Sequence, residues 1–177
     1  MIFNETKLKG AYIIEAAPIK DNRGFFSRVW CKREFEEYEL DTNIVQCNIS
    51  YNLKKGTLRG MHYQKSPYSE VKYVRCIKGA LYDVIIDMRE NSKTFGQWIG
   101  VELTEENRKA LYIPKGFAHG FETLMDNTYL YYQVSEYYKT DAEGGIRWDD
   151  PQFNIIWPIG EPKVISSKDK SWPLFKK

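Results

Sequence analysis

Short segments rich in β-branched and aromatic residues recur along the whole chain. They are separated by turn signals such as "IKGA", "RENSKTFG", "PKGF" and "MDNT". This spacing is typical of antiparallel strands rather than of alternating strands and helices. The predicted strands are Ala11–Ile19, Thr42–Asn52, Val71–Gly79, Ala80–Met88, Gln97–Leu103, Lys109–Pro114, Ala118–Leu124 and Thr128–Ser135. We therefore predict an all-β fold, a double-sheet jelly roll with a few short helices, the clearest of which lies in "CKREFEEYEL".

Alternation with a period of two assigns side chains to the two faces of each strand. In "TYLYYQVS", "VKYVRC" and "GTLRGMHYQK", one face of the segment carries Tyr132, Lys72 and His62, respectively. Arg59 falls on the opposite face of its segment from His62. Charged groups inside a sandwich or barrel are costly unless they are paired or used. The pattern therefore predicts a functional pocket that contains His62, Lys72 and Tyr132.

A single domain spanning residues 1–177 is the simplest organisation for a chain of this length. The 26 basic residues nearly balance the 24 acidic ones, so no net field attracts nucleic acid. No apolar run is long enough to predict a membrane span, and the first residues, "MIFNETKLKGAYII", lack the pattern of a secretory signal. We therefore expect a cytoplasmic protein that binds neither nucleic acid nor membranes. Its three widely spaced cysteines are expected to be reduced thiols.

The chain contains only two histidines, His62 and His119. Metal sites in small β-barrels usually need two or three histidines and a carboxylate, and Gln64 stands where a second ligand would follow His62. Neither a G-x-S-x-G nucleophile motif nor a G-x-G-x-x-G or Walker nucleotide motif is present. The residues therefore favour acid–base chemistry without metal or cofactor, although an enzyme with a two-histidine metal site stays open.

General acid–base chemistry suits the side chains that remain. A neutral histidine is a good base near neutral pH when an aspartate orients it. A tyrosine on the opposite side of a substrate can return a proton, and a lysine or arginine can stabilise an enolate formed next to a carbonyl. Such a set would invert a carbon alpha to a ketone.

Five motifs follow one another from about Gly10 to Asp169. They are "DNRGFF", "TLRGMHYQ", "VKYVRCIKGALYDVIIDMR", "FGQWIGVELTEENRKALYIPKGFAHGF" and "GGIRWDDP…ISSKD". Together they resemble the dTDP-4-dehydrorhamnose 3,5-epimerases. The resemblance implies a metal-independent cupin jelly roll, that is a double-stranded β-helix, which is normally a homodimer. It also implies action on 4-keto-6-deoxy sugars linked to a nucleoside diphosphate, in the synthesis of surface polysaccharide.

Carried over by position, the resemblance implies a set of site residues. His62 is expected to be the base that removes the C3 and C5 protons, with Asp169 as its partner. Lys72 would stabilise the enolate at O4, and Tyr132 would donate the proton on the opposite face. The expected substrate-binding residues are Arg23, Phe26, Arg28, Gln46, Asn48, Arg59, His119 and Tyr138. Two of them, Arg23 and Arg59, look like pyrophosphate ligands.

Three features near the expected nucleotide site differ from the common family pattern. Arg28 stands where a glutamate is usual, Cys47 replaces an acidic residue after Gln46, and one extra residue precedes "GTLRG". They leave the nucleotide base open, and relatives that epimerise GDP-linked 4-keto heptoses for capsule synthesis are an alternative. A C3-only epimerase could keep the same histidine and aspartate. Two other classes also stay open: a 3,4-ketoisomerase and a sugar-nucleotide binding protein without activity.

Overall fold

The computed structural model describes residues 1–176, in which most strands belong to two packed β-sheets. The strands in chain order are Ile2–Glu5 (β1), Tyr12–Glu15 (β2), Ile19–Asp21 (β3), Gly24–Phe26 (β4), Gln46–Asn52 (β5), Thr57–Gln64 (β6), Lys72–Lys78 (β7), Ala80–Asp87 (β8), Trp98–Thr104 (β9), Lys109–Ile113 (β10), Phe117–Thr123 (β11), Thr128–Val134 (β12), Glu143–Gly145 (β13) and Val164–Ile165 (β14). The helices are Lys32–Glu36 (α1) and Ser167–Ser171 (α2), with a 3₁₀ turn at Thr140–Ala142.

The first sheet has the order β1–β2–β10–β7–β12–β5, and the second has the order β13–β6–β11–β8–β9. Neighbouring strands within both orders are antiparallel, while β14 adds to β6 in parallel. All eight predicted strands are present. The segment predicted as Ala11–Ile19 is shorter, because β2 ends before Pro18, whose nitrogen cannot donate to a sheet ladder. The all-β jelly-roll prediction is confirmed.

The core between the sheets is built from the inward faces that alternation predicts. It includes Val74, Leu111 and Leu130 from the first sheet and Leu81, Ile85 and Phe121 from the second. Burial of each such side chain stabilises the fold by about 1.5–3 kcal/mol. Lys72 and Tyr132 lie on the same strands, β7 and β12, as the buried Val74 and Leu130. The packed core therefore fixes the strands that carry the polar site.

Strand β6 departs from regular alternation just before His62. His62 lies opposite His119 on β11, whereas Arg59 lies opposite Phe121, so three steps on β6 match two steps on β11. A β-bulge of this kind changes which face the following side chains occupy. Arg59 and His62 consequently line the same hollow, and the prediction that they occupy opposite faces is wrong.

The bulge depends on Gly60. Its φ of +124° lies in a region that favours glycine, and a Cβ built on it would lie 2.5 Å from the Cα of Gly120. The next residue, Met61, is fully buried in a second apolar cluster, outside the core between the sheets. Close approach of two glycines therefore permits both the bulge and the direction of His62.

The two helices differ in how well the sequence indicates them. Helix α1 lies within "CKREFEEYEL" as predicted and buries Phe35. Helix α2 was not predicted, although Ser166 caps it by accepting a hydrogen bond from the backbone amide of Asp169 at 3.0 Å. A serine followed three residues later by an acid is a known signature of a helix start. This short helix carries Asp169.

Strands β3 and β4 form a separate two-stranded hairpin. Its apolar side chains Ile19 and Phe26 are 72% and 71% exposed. The hairpin therefore projects from the sandwich. Within residues 1–176, no helix has the length and apolar character that crossing a membrane requires.

Candidate active site

His62 and Asp169 form a hydrogen-bonded pair between β6 and α2. The two atoms involved, Nε2 of His62 and Oδ1 of Asp169, are 2.6 Å apart, and Asp169 is buried. Burial alone would raise the pKa of Asp169, but the hydrogen bond and charge of His62 hold it below its ordinary value. An ionised carboxylate can only accept hydrogen bonds, so Nε2 carries the proton. The Nδ1 atom of His62 is left free to act as a base.

Two adjoining hollows share the side chains of His62, Lys72 and Tyr132. The first, called the Tyr138 hollow, has a volume of about 250 Å³ and is also lined by Gln46, Asn48, Glu70, Tyr138 and Glu143. The second, called the His119 hollow, has a volume of about 220 Å³ and is also lined by Ser50, Arg59, His119 and Phe121. The structure therefore brings together most of the residues that the sequence predicts for the site.

Tyr132 faces the shared region from the sheet opposite to that of His62. Tyr132 lies on β12 in the first sheet, and His62 lies on β6 in the second. Burial raises the pKa of Tyr132, and the nearby Glu70 raises it further, against a smaller opposing effect of Arg59. The phenol therefore keeps its proton at neutral pH. Tyr132 therefore has the protonation state of a general acid, and it lies across the hollows from His62.

Lys72 forms an ion pair inside the Tyr138 hollow. Its Nζ lies 3.1 Å from Oε1 of Glu70, and the two side chains are only 14% and 13% exposed. Lys72 begins β7 and lies opposite Val134 on β12, which places its ammonium group near Tyr132. A cation at this place could stabilise negative charge on a ligand bound between His62 and Tyr132.

The His119 hollow contains a second histidine–carboxylate pair. Nε2 of His119 lies 2.8 Å from Oδ1 of Asp83, which is fully buried. Beside it, Nε of Arg59 donates to Oδ1 of Asn52 at 2.8 Å. Both side chains are therefore held in fixed orientations at the wall of the hollow.

A metal site requires several ligand side chains that converge on one point. Among residues 1–176, no group of three or more histidine, cysteine, aspartate or glutamate side chains converges in a way that could hold a metal ion. His62 and His119 each bond a different carboxylate. A reaction without metal or cofactor stays a prediction.

Comparison of the sequence with known proteins assigns the chain to a family. The sequence model of the family described as dTDP-4-dehydrorhamnose 3,5-epimerase matches residues 5–177. The chain belongs to this family. A dTDP-4-dehydrorhamnose 3,5-epimerase from Methanothermobacter thermautotrophicus is 42% identical over 172 residues, which cover 96% of this chain and 92% of the relative.

Solved structures of nucleotide-sugar 3,5-epimerases have the same fold. The dTDP-4-dehydrorhamnose 3,5-epimerase from Bacillus anthracis, crystallised with TDP and PPi bound, matches with a TM-score of 0.95 and 41% identity over 98% of this chain and 99% of that chain. A dTDP-6-deoxy-D-glucose-3,5-epimerase from Legionella pneumophila, in complex with dTDP-4-keto-L-rhamnose, matches with a TM-score of 0.90 and 40% identity over 97% and 90% of the two chains. The chain is thus an isomerase of the kind that inverts carbon centres in carbohydrates.

Three residues expected to bind substrate do not line either hollow. Arg23 projects from the β3–β4 hairpin and pairs with Asp21. Phe26 and Arg28 line a separate hollow of about 200 Å³, where Nη1 of Arg28 donates to Glu34 at 2.9 Å. The hairpin thus holds these residues away from His62 within one chain of this epimerase-family member, and their binding of substrate stays a prediction.

The structure adds three charged residues to the predicted site. Glu70 pairs with Lys72, and Glu143 accepts hydrogen bonds from the Tyr138 hydroxyl at 3.0 Å and from Nζ of Lys168 at 2.6 Å. The signal for Glu70 is its position two residues before Lys72, which places both on one face of an extended segment. Lys168 stands next to Asp169 in "SSKD", but neither it nor Glu143 has a periodic pattern that marks it.

Proposed function

We propose that this chain inverts C3 and C5 of a 4-keto-6-deoxy sugar linked to thymidine diphosphate. The observation that carries this proposal is that His62 and Tyr132 enter the shared hollows from opposite sheets. Inversion requires that a proton leaves from one face of a carbon and that another arrives on the opposite face. The dTDP-linked ligand named for the Legionella relative supports this class of substrate.

The first step is removal of a proton next to the C4 carbonyl. Nδ1 of His62 takes the proton from C3 or C5, and the electron pair of the broken C–H bond moves through C4 onto O4 to give an enolate. Asp169 stabilises the imidazolium that forms, because its carboxylate is buried against the protonated ring. The C–H bond is broken without an oxidant or reductant.

The second step returns a proton to the other face of the same carbon. The ammonium group of Lys72 stabilises the negative charge on O4. The phenol of Tyr132 then gives its proton to the carbon as the carbonyl reforms. Transfer of the proton of His62 to solvent and reprotonation of Tyr132 restore both groups, and the cycle repeats at the second carbon.

The remaining side chains of the two hollows suit the nucleotide. Arg59 offers a guanidinium fork for the diphosphate, next to His119. Gln46, Asn48 and Tyr138 offer amide and aromatic surfaces in the Tyr138 hollow. We assign these five residues to substrate binding.

A homodimer would cover the exposed hairpin and complete the site. Ile19 and Phe26 expose a large apolar surface, which is a common mark of an interface. Arg23 and Phe26 do not reach the hollows of their own chain, so in a dimer they would line the hollows of the partner chain.

Light scattering should give the mass of a dimer. Mixed dimers of Arg23→Ala and His62→Ala chains should regain activity that neither variant has alone.

The proposed function is tested with purified 4-keto-6-deoxy sugars linked to dTDP, GDP, CDP or UDP. NMR of the products should show inversion at both C3 and C5 with the dTDP-linked sugar. Inversion at C3 alone, or activity only with a GDP-linked heptose, would select the corresponding alternative. A carbonyl moved from C4 to C3 would indicate a ketoisomerase. Tight binding of all four ligands without any reaction would overturn the proposed activity.

A further inference from the structure

Asp169, the partner of His62, lies on a helix of only five residues. A helix this short is not stable by itself in water, so its position depends on what holds the chain on either side. We define Ser166–Lys176 as the C-terminal segment. On its N-terminal side, β14 fixes the entry of the segment by pairing with β6, where Ile165 lies opposite Leu58.

Asp150 holds the far end of the C-terminal segment through a hydrogen bond. The backbone amide of Phe175 donates to Oδ2 of Asp150 at 2.6 Å. The ring of Phe175 packs against Phe153 and Phe95, with centroid distances of 5.5 and 6.2 Å. The segment is therefore held on both sides of Asp169, by a strand pairing at one end and by a buried carboxylate at the other.

Asp150 is a buried carboxylate that forms no ion pair in the described part of the chain, although Arg147 lies near enough to interact with its charge. It is only 2% exposed, and within residues 1–176 no lysine, arginine or histidine forms an ion pair with it. Its second oxygen, Oδ1, accepts from the backbone amide of Gln152 at 2.9 Å. A buried carboxylate is costly unless it is hydrogen-bonded, so loss of the Phe175 amide would leave Oδ2 without a partner. This bond therefore strongly favours the docked position of the segment.

Trp172 lies between Phe175 and the hydrogen-bonded pair of His62 and Asp169. A Cβ on Gly145 would overlap the indole of Trp172, so the indole lies directly against the backbone of β13. The centroid of the indole is 6.4 Å from that of the His62 ring, and the two ring planes are inclined by 67°. Trp172 directly follows α2. A displacement of Phe175 would therefore move Trp172, and through it the helix that carries Asp169.

We propose that Asp150 is a positioning residue for the epimerase reaction. By holding the amide of Phe175, it keeps the C-terminal segment docked and so keeps the carboxylate of Asp169 against His62. The inference rests on the function proposed above, in which His62 is the base. It gives a role to the "WDDP" part of the "GGIRWDDP" motif, which the acid–base set does not use.

The first test compares Asp150→Asn with a matched control at its neighbour. Asp149 bonds the guanidinium of Arg147 at the surface, so Asp149→Asn should keep the wild-type kcat. Asp150→Asn should lower kcat about tenfold and change KM by less than about twofold, because a small misplacement of Asp169 affects the proton transfer more than binding. Asparagine keeps one of the two acceptor oxygens and alanine keeps neither, so an unchanged kcat in both Asp150→Asn and Asp150→Ala would overturn the inference.

A double-mutant cycle separates positioning from a general structural effect. In an Asp169→Asn background there is no carboxylate left to position, so Asp150→Asn should lower kcat by less than about a further twofold. An equal loss in both backgrounds would overturn the inference while leaving the proposed function intact. Absence of any epimerisation by the wild-type protein would instead refute the proposed function.

Truncation after Trp172 provides a second variant that keeps Asp150 in place. It removes both the Phe175 amide and its ring, so it should lower kcat at least as much as Asp150→Asn. Asp150→Asn should give no further loss in the truncated protein, since Asp150 then has no Phe175 amide to hold. A truncated protein with the kcat of the wild type would overturn the inference, whether or not Asp150→Asn folds.

Discussion

Nε2 of His62 lies 2.6 Å from Oδ1 of Asp169, although 107 residues separate the two in the chain. The contact joins a central stretch of the second sheet to a short helix near the C-terminal end. Because the carboxylate is buried and ionised, it fixes both the orientation and the tautomer of the imidazole. The proposed chemistry depends on this contact.

Replacement of Asp169 by asparagine should lower kcat about a hundredfold, because the imidazolium loses its charged partner. The KM for the dTDP-linked sugar should change by less than about twofold, since the hollows stay intact. Steady-state kinetics, together with a thermal unfolding curve to confirm the fold, check this prediction. A kcat equal to that of the wild type would show that His62 does not need the carboxylate.

Replacement of Tyr132 by phenylalanine should separate proton removal from inversion. His62 would still form the enolate, but no acid would stand on the opposite face. In D₂O the variant should therefore place deuterium on the substrate with retained configuration, while inversion falls at least about a hundredfold. NMR of the recovered sugar distinguishes the two. Inversion at the wild-type rate would assign the acid to another residue.

Asp87 should make the free energy of unfolding depend on pH. This residue is fully buried, and burial alone would raise the pKa of Asp87, but hydrogen bonds from Arg89, Ser92 and Thr94 lower it to about 2 from an ordinary value of 3.8. A folded-state pKa below the unfolded one stabilises the fold above about pH 4, and this contribution is lost as the pH falls towards about 2. In urea unfolding, Asp87→Asn should be less stable at neutral pH and lose less stability on acidification. Equal acid sensitivity of both proteins would contradict this assignment.

Addition of one methyl group at Gly60 should lower the free energy of unfolding strongly. Gly24 has a similar φ, +131°, but a Cβ there would meet nothing within 4 Å, so Gly24→Ala is a matched control for backbone strain. Gly60→Ala should reduce the free energy of unfolding by roughly 1–3 kcal/mol more than Gly24→Ala, the usual penalty of overpacking. Chemical denaturation measures both. Equal costs would mean that the bulge tolerates a side chain at Gly60.

The sequence predicted the sheets well because their inward faces alternate regularly. The pairing of β7 with β12 is regular from Lys72 to Cys76 and from Leu130 to Val134, so Lys72 and Tyr132 were correctly placed in one pocket. The pattern failed at β6, where the bulge at Gly60 turns His62 to the side of Arg59. Alternation assumes one residue per step, and a bulge breaks that assumption.

The contact of Asp169 with His62 could not be obtained from local pattern. Spacing along the chain does not show which distant segment packs beside a strand, so only the resemblance indicated this partner. The pair of Glu143 with Lys168 was missed for the same reason, since the two residues become neighbours only in the fold. Glu70 was missed although it stands only two residues before Lys72, because this spacing does not show that the pair lies in a pocket. The residues Arg23, Phe26 and Arg28 show the opposite case, because the motif marks them while a single chain leaves them away from His62.

In the proposed reaction His62 removes the protons of C3 and C5, and protons from solvent replace them during inversion. Incubation of the wild-type protein with the dTDP-linked 4-keto-6-deoxy sugar in D₂O, followed by NMR and mass spectrometry of the product, tests it most directly. The inverted product should carry one deuterium at C3 and one at C5, and His62→Ala should show no exchange above background. An inverted product without solvent deuterium, or normal exchange by His62→Ala, would contradict the proposed reaction.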